Sequence, residues 1–207
     1  MSTHTLLHID ASPRGERSHS RKLGHEFVST WKVAHPDGAV VSRDVGTYPL
    51  PFVTEAWVEG AFTPPEGHSD AAKEAIRISD GLVDELLAAD ELVVTTPIYN
   101  LNVPAALKAW IDHVVRYGRT FTIGAEGYKG LVEGKRVTVL VASGGDFRPG
   151  SPAAGYNFLE PYLRAIFGFI GITDVRFAYA HSLNQTDEVR EQSLVEAQTA
   201  VRELAAA

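Results

Sequence analysis

The sequence has no cysteine, no long hydrophobic run and no tract of basic residues, and each shortage excludes a class of function. Without thiols the chain can form neither a disulfide nor a thiolate metal site, and it has no cysteine nucleophile. No apolar run approaches the roughly 20 residues of a membrane-spanning helix, and the N-terminus lacks the basic flank and apolar core of a secretion signal. We therefore expect a cytoplasmic protein without a membrane partner.

The scarcity of positive charge argues against binding to large anionic partners such as nucleic acids. The formal net charge is −7, so we expect no nucleic-acid partner, although a local basic pocket could still bind a phosphate. With 207 residues, of which 44% are hydrophobic, the chain is long enough for one domain with a full core. No repeat or linker divides it, and we predict a single domain over residues 1–207.

The eight histidines do not form a metal-binding motif that can be recognised from spacing alone. There is no HExxH sequence. His4 and His8 flank a predicted strand, in which four residues span roughly 13 Å, too far for one ion. We therefore expect no metal site, and we assign the histidines to surface, capping or hydrogen-bonding roles.

Apolar segments with strand character alternate with segments of helical periodicity. Because such alternation requires crossover connections, it predicts an α/β fold with a five-stranded parallel sheet covered on both faces. The segment 46–68 is predicted to be irregular, and it carries several large apolar side chains. The predicted strands are 5–9, 39–45, 91–96, 136–142 and 171–180, and the predicted helices are 20–31, 69–89, 103–117, 152–169 and 187–207.

The loop 12–20, here called the serine loop, follows the first predicted strand. Hydroxyl groups of Ser12, Ser18 and Ser20, with the free N–H groups of a helix start, could hold a phosphate. The simpler alternative is that Ser18 or Ser20 only caps the helix. Neither GxxxxGK[ST] nor GxGxxG is present, which excludes the triphosphate loop and weakens a dinucleotide interpretation.

Two further loops follow the third and fourth predicted strands. The tyrosine loop (97–101) could bond the edge of a planar heterocycle through its backbone and lie along its face. It could also be an ordinary turn in which Asn100 and Asn102 cap the next helix. The glycine loop (142–146) has two adjacent glycines that allow a close approach to a ligand, or that simply make a turn. Because the carboxyl ends of parallel strands share one edge, we expect the three loops to form one site.

These loops, together with the segments TPIYNLNVPAALKAWIDHVVRYGRTF (96–121) and PYLRAIFGFIGITD (161–174), resemble a known family. The chain is similar over nearly its whole length to the FMN-dependent NADH:quinone and azo-compound oxidoreductases, the azoreductases, whose fold is a flavodoxin-like three-layer sandwich. The resemblance implies FMN contacts from Ser12, Ser18, His19 and Ser20 at the phosphate, from Pro97, Ile98, Tyr99, Asn100 and Leu101 along the ring, and from Ala142, Ser143, Gly144 and Gly145 at the pyrimidine end.

The resemblance also implies a reaction. NADH or NADPH would reduce the flavin and leave before a quinone or azo compound accepts two electrons, so that no side chain has to act as a catalytic base. Tyr99, Asn100, Asp146 or solvent could supply protons. The family often has an arginine where Ser143 stands and an aromatic residue where Leu101 stands, so the substrate range is expected to differ.

Two hypotheses concern partners. A flavodoxin-like electron carrier that serves a protein partner is the alternative to the enzyme, since one fold hosts both activities. Apolar surface in the segments 46–68 and 166–172 predicts a homodimer with the flavins near the interface.

Overall fold

A computed structural model describes residues 4–207 as a three-layer α/β structure. Its parallel sheet has five strands in the order β2-β1-β3-β6-β7, which confirms the predicted flavodoxin-like fold. The strands are β1 (Thr5–Asp10), β2 (Ala39–Asp44), β3 (Glu91–Pro97), β4 (Phe121–Gly124), β5 (Gly127–Gly130), β6 (Arg136–Ala142) and β7 (Asp174–Ala180). The helices are α1 (His19–Ala34), α2 (Glu55–Phe62), α3 (Asp70–Ala88), α4 (Ala105–Val114), α5 (Leu159–Ile170) and α6 (Asp187–Ala205).

The central strands are apolar because both of their faces are covered. In β3 and β6 every residue after the first is buried, and Val94 pairs with Val139 in parallel register. One face packs against α3, α4 and α5 through residues such as Trp110 and Phe167, and the other packs against α1 and α6. Full burial of such a side chain contributes roughly 1.5–3 kcal/mol, so the two faces together fix the sheet.

The segment 46–68 is more ordered than the sequence predicts, because it contains α2. The Thr54 side chain caps this helix by accepting a hydrogen bond from the Trp57 N–H at 3.3 Å. The Trp57 indole is buried against Ile76 and donates a hydrogen bond to Nδ1 of His113 at 3.1 Å. The Thr54 cap and the buried Trp57 side chain therefore hold α2 in place. The helix was not predicted because its eight residues are too few to show clear helical periodicity.

Two other differences concern the second half of the chain. The antiparallel hairpin β4–β5 was not predicted, because its strands are short and largely exposed. Helix α5 begins at Leu159 rather than near residue 152, since the Asn157 side chain accepts a hydrogen bond from Glu160 N at 3.0 Å. The fifth strand of the sheet begins at Asp174 because Gly171, with φ of 109°, ends α5 in a left-handed conformation.

Within residues 4–207, no helix is both long enough and apolar enough to cross a membrane.

Candidate functional site

A cleft of about 500 Å³ opens at the carboxyl edge of the sheet, between the loops that follow β1, β3, β6 and β7. Most of the predicted site residues line it, which brings the serine, tyrosine and glycine loops together. Asn100, Leu101 and Gly145 lie just outside the lining. The lining residues are Ser12, Arg14, Ser18, His19, Ser20, Pro97, Ile98, Tyr99, Ala142, Ser143, Gly144, Leu183, Asn184 and Arg190.

The serine loop presents buried hydroxyl groups at the start of α1. Ser12, Ser18 and Ser20 are each at most 3% exposed. The Ser18 hydroxyl accepts a hydrogen bond from Arg21 N at 3.3 Å, so it caps α1, and it lies 3.1 Å from the Ser20 hydroxyl. Capping uses a lone pair of the Ser18 oxygen, and the hydrogen bond between Ser18 and Ser20 uses one of their two hydroxyl hydrogens, which leaves the other for an anion. The two interpretations of this loop are therefore compatible.

Arg21 supports the serine loop through hydrogen bonds to its backbone. Its Nε and Nη2 atoms donate hydrogen bonds to the Ser12 carbonyl at 2.9 and 2.7 Å, and its Nη1 donates to Asp44 at 2.8 Å. The hydrogen bond from Arg21 lowers the pKa of Asp44 against the opposing effect of burial. A Cβ atom on Gly46 would stand 2.4 Å from the Ser12 carbonyl oxygen, so the end of β2 packs directly under the loop.

Several positively charged side chains surround the end of the cleft that is formed by the serine loop. Burial and then the nearby cations Lys22, Arg14 and Arg190 lower the pKa of His19. Arg190 lies on α6, far from the serine loop in sequence, so no local motif could identify it. The positive potential of these cations opposes the protonation of His19, and the same potential favours the binding of an anion at this position.

The tyrosine loop is a tight turn. Tyr99 and Asn102 exchange backbone hydrogen bonds of 3.0 and 3.1 Å, and between them Asn100 and Leu101 have φ of 47° and 71°. Positive φ is unusual for leucine, and such strain tends to be kept at functional sites. The capping alternative is wrong, because helix α4 has Pro104 at its N-cap with no side-chain cap.

The glycine loop pairs with the segment 181–185, here called the asparagine loop. The carbonyls of Ser143 and Gly144 accept hydrogen bonds from the N–H groups of Leu183 and Asn184 at 3.1 and 3.3 Å. A Cβ on Gly144 would stand 2.4 Å from the Asn184 side-chain nitrogen, so a larger residue here would displace that side chain. Sequence reasoning missed this loop, although its position after a parallel strand was an available signal.

Asp146 is not a proton donor. Arg148 binds its carboxylate through two hydrogen bonds of 2.9 Å, and chiefly these contacts lower its pKa to about 2. The group is therefore ionised at neutral pH. Tyr99, by contrast, is 39% exposed at the mouth of the cleft, which places it in contact with solvent.

Comparison with known proteins identifies the family of the chain. A family model described as a flavodoxin-like fold matches residues 4–205. An FMN-dependent NADH:quinone oxidoreductase of Nostoc punctiforme is 56% identical over 198 residues, which cover 96% of this chain and 96% of the relative. A protein of the same name from Pseudomonas aeruginosa, FMN-dependent NADH:quinone oxidoreductase 3, is 42% identical over 96% of this chain and 91% of the relative.

A solved structure points to the same group. The crystal structure of an azoreductase from Bacillus anthracis is 29% identical to this chain and superposes with a TM-score of 0.91, covering 99% of both chains. Sequence and fold thus agree over almost the entire length. The chain belongs to the flavodoxin-like fold family that includes the FMN-dependent NADH:quinone oxidoreductases.

Proposed function

We propose that the protein is an FMN-dependent NAD(P)H:quinone oxidoreductase that also cleaves aromatic azo compounds reductively. One observation carries the proposal: a single cleft combines an anion site, an apolar face and a backbone hydrogen-bonding edge in the arrangement that a flavin mononucleotide needs. The names of the relatives support the same activity. A cytoplasmic location fits the use of a soluble nicotinamide donor.

The residues present fit FMN. Ser12, Ser18 and Ser20 offer hydroxyl donors beside the positive end of the α1 dipole, with Arg14 and Arg190 nearby, which suits a phosphate dianion. Ile98 and Tyr99 offer the apolar surface along which an aromatic ring lies. Gly144 and Asn184 line the same cleft, so the backbone of the first and the side-chain amide of the second are within reach of the ring edge.

Bound FMN would supply the two-electron redox chemistry between the nicotinamide and the acceptor. The serine loop and Arg190 would hold its phosphate and thereby fix the position of the ring. The backbone N–H of Gly144 in the cleft, with that of the adjacent Gly145, would stabilise negative charge on the bound flavin, as an oxyanion hole does. Tyr99 is 39% exposed, so its hydroxyl group or the solvent beside it would supply the protons that convert a quinone to a hydroquinone.

The electron-carrier alternative has less support. The matched relatives are named as oxidoreductases and an azoreductase. Their names assign the electrons to small acceptors rather than to a protein partner.

We also propose a homodimer. A groove of about 600 Å³ lies beside α4 and α5, and it is lined largely by apolar groups that include Val53, Trp57, Phe62, Ile111 and Ile166. Phe62 is 64% exposed, which is costly in water unless another surface covers it. A second copy of the chain would supply such a surface.

The activity is tested by purifying the protein, reconstituting it with FMN and following NADH and NADPH oxidation with and without a quinone. We expect a yellow protein whose released cofactor has the mass of FMN, and nicotinamide oxidation that depends on the quinone. Release of FAD, or failure to retain any flavin, would overturn the proposal. Reduced protein that passes electrons only to another protein would favour the carrier.

A further inference from the structure

A second cluster of ligating side chains lies at the amino edge of the sheet, opposite the cleft. His4 precedes β1, His35 follows α1, and Glu91 is the first residue of β3. One ring nitrogen of each histidine and one carboxylate oxygen of Glu91 lie within 4.8 Å of one another. His4 Nε2 is 2.9 Å from Glu91 Oε1. The fold thus brings together three residues that are distant in sequence.

The second nitrogen of each imidazole faces an acceptor. His35 Nδ1 lies 3.1 Å from the Trp31 carbonyl oxygen, and His4 Nδ1 lies 3.6 Å from the Asp90 carboxylate. Metal-binding histidines characteristically donate this second N–H to a carbonyl or carboxylate, which fixes the tautomer and leaves the other nitrogen free to bind a metal. His35 therefore has its Nε2 available as a ligand atom, whereas His4 Nε2, which donates its hydrogen to Glu91, would release that proton on binding an ion.

The two imidazole rings are nearly parallel and stack with the Trp31 indole. Their centroids are 4.9 Å apart with an interplanar angle of 12°. The Trp31 ring is 4.4 Å from His35 and 5.9 Å from His4. For both imidazoles to direct an in-plane lone pair at one ion, the His4 ring, whose side chain is 41% exposed, would rotate out of this stack.

We propose that His4, His35 and Glu91 form a binding site for one divalent transition-metal ion, of which Zn²⁺ is the best match. Two imidazoles and a carboxylate are ligands that zinc prefers, with a water molecule completing a tetrahedron. Zinc–ligand bonds of about 2.0–2.1 Å place neighbouring ligand atoms about 3.3 Å apart. The His4 side chain is 41% exposed and can make the movement that this requires.

The site would join three elements and take no part in electron transfer. It connects the start of β1, the end of α1 and the start of β3. The six residues of β1, at about 3.3 Å each, separate it from the cleft. Bound Zn²⁺ would therefore raise the stability of the fold by binding the native state, without changing the flavin environment.

The test is a Zn²⁺ titration of chelator-treated, FMN-loaded protein by calorimetry, with the bound metal counted by elemental analysis. We expect one ion per chain, and we expect His4→Gln and His35→Gln each to weaken binding at least about tenfold, the minimum cost of losing even an outer partner of a zinc ligand. His25→Gln is the matched control, because His25 is exposed on α1 and outside the cluster. The flavin absorbance should not change with Zn²⁺.

Thermal melting gives an independent measurement. Zn²⁺ should raise the Tm of the parent protein and of His25→Gln, and should leave the Tm of His35→Gln unchanged. The proposal is overturned if the parent protein binds no stoichiometric Zn²⁺, or if His25→Gln weakens binding as much as His35→Gln does. A variant that fails to fold is replaced by Glu91→Gln, for which the same outcomes apply.

Discussion

Arg21 connects three parts of the chain that meet beneath the serine loop. Its guanidinium group joins the Ser12 carbonyl to Asp44 at the end of β2, and it lies 3.5 Å from Asp10. The side chain is only 11% exposed, so water cannot easily replace these contacts. The position of the serine loop therefore depends on a residue that does not line the cleft.

We expect Arg21→Gln to weaken FMN binding at least about tenfold, because hydrogen bonds to a charged group contribute about 1.5–3 kcal/mol each. The loss arises from a displaced Ser12, so thermal stability should fall as well. Flavin titration and thermal melting of the variant provide the measurements. Arg77→Gln, which removes an exposed arginine paired with Glu74, is the control and should change neither. Unchanged FMN affinity in Arg21→Gln would show that the loop keeps its shape without this contact.

Separate substitutions of Ser18 and Ser20 distinguish the effect on helix capping from the effect on phosphate binding. Ser18→Ala removes a helix cap, which costs about 1 kcal/mol of stability, as well as a phosphate donor. Ser20→Ala removes a buried hydroxyl from the first turn without removing the cap. We expect both variants to bind FMN more weakly, the double variant by at least about tenfold, and only Ser18→Ala to lose the stability of the cap. Equal FMN affinity in parent and double variant would contradict the phosphate assignment.

Substitution of Gly144 tests whether the glycine loop contributes to FMN binding. In Gly144→Ala the new methyl group would displace the Asn184 side chain, whose nitrogen would otherwise be 2.4 Å away. We expect FMN affinity to fall about tenfold, the equivalent of one lost hydrogen bond of about 1.4 kcal/mol. Gly81→Ala on α3 is the matched control, because nothing lies within 4 Å of the added atom. That control should raise stability slightly and leave flavin binding unchanged. Similar affinities for the two variants would argue against a role for the glycine loop.

At the scale of elements, α2 depends on one side chain. Trp57 is 6% exposed, packs on Ala61 and Ile76, and donates to His113. We expect Trp57→Ala to destabilise the protein by about 3–5 kcal/mol, the usual cost of removing a buried aromatic residue. Urea unfolding followed by circular dichroism measures the change. Trp57→Phe keeps most of the packing and loses only the hydrogen bond, so its cost should be about 1 kcal/mol. Equal losses for the two variants would mean that packing does not hold α2.

The strands of the sheet could be predicted because their burial on both faces leaves continuous apolar runs in β1, β3 and β6. The hairpin β4–β5 could not, since its four-residue strands are largely exposed and too short for an alternating pattern to be recognised. The serine, tyrosine and glycine loops were predicted from their place after parallel strands, and the asparagine loop after β7 could have been found in the same way. Arg21 and Arg190 were missed because long-range packing, and not local sequence, brings them to the site.

At the scale of the whole molecule, the proposed dimer would form through the apolar groove. Ile166 lies on α5 among the groove residues, which also include Tyr162. If two copies meet across a twofold axis, the same patch faces itself, and one substitution changes both sides of the interface. An introduced charge would then be buried next to its own copy.

We therefore expect the parent protein to be a dimer at micromolar concentration by light scattering, and Ile166→Glu to be a monomer. Burial of two carboxylates without partners costs several kcal/mol, enough to lower the association constant by more than about a hundredfold. Val33→Glu is the control, because Val33 is 82% exposed on α1, across the sheet from the groove, and should leave the dimer intact. A parent protein that is monomeric and fully active at this concentration would show that each cleft is complete within one chain and that the groove has another role.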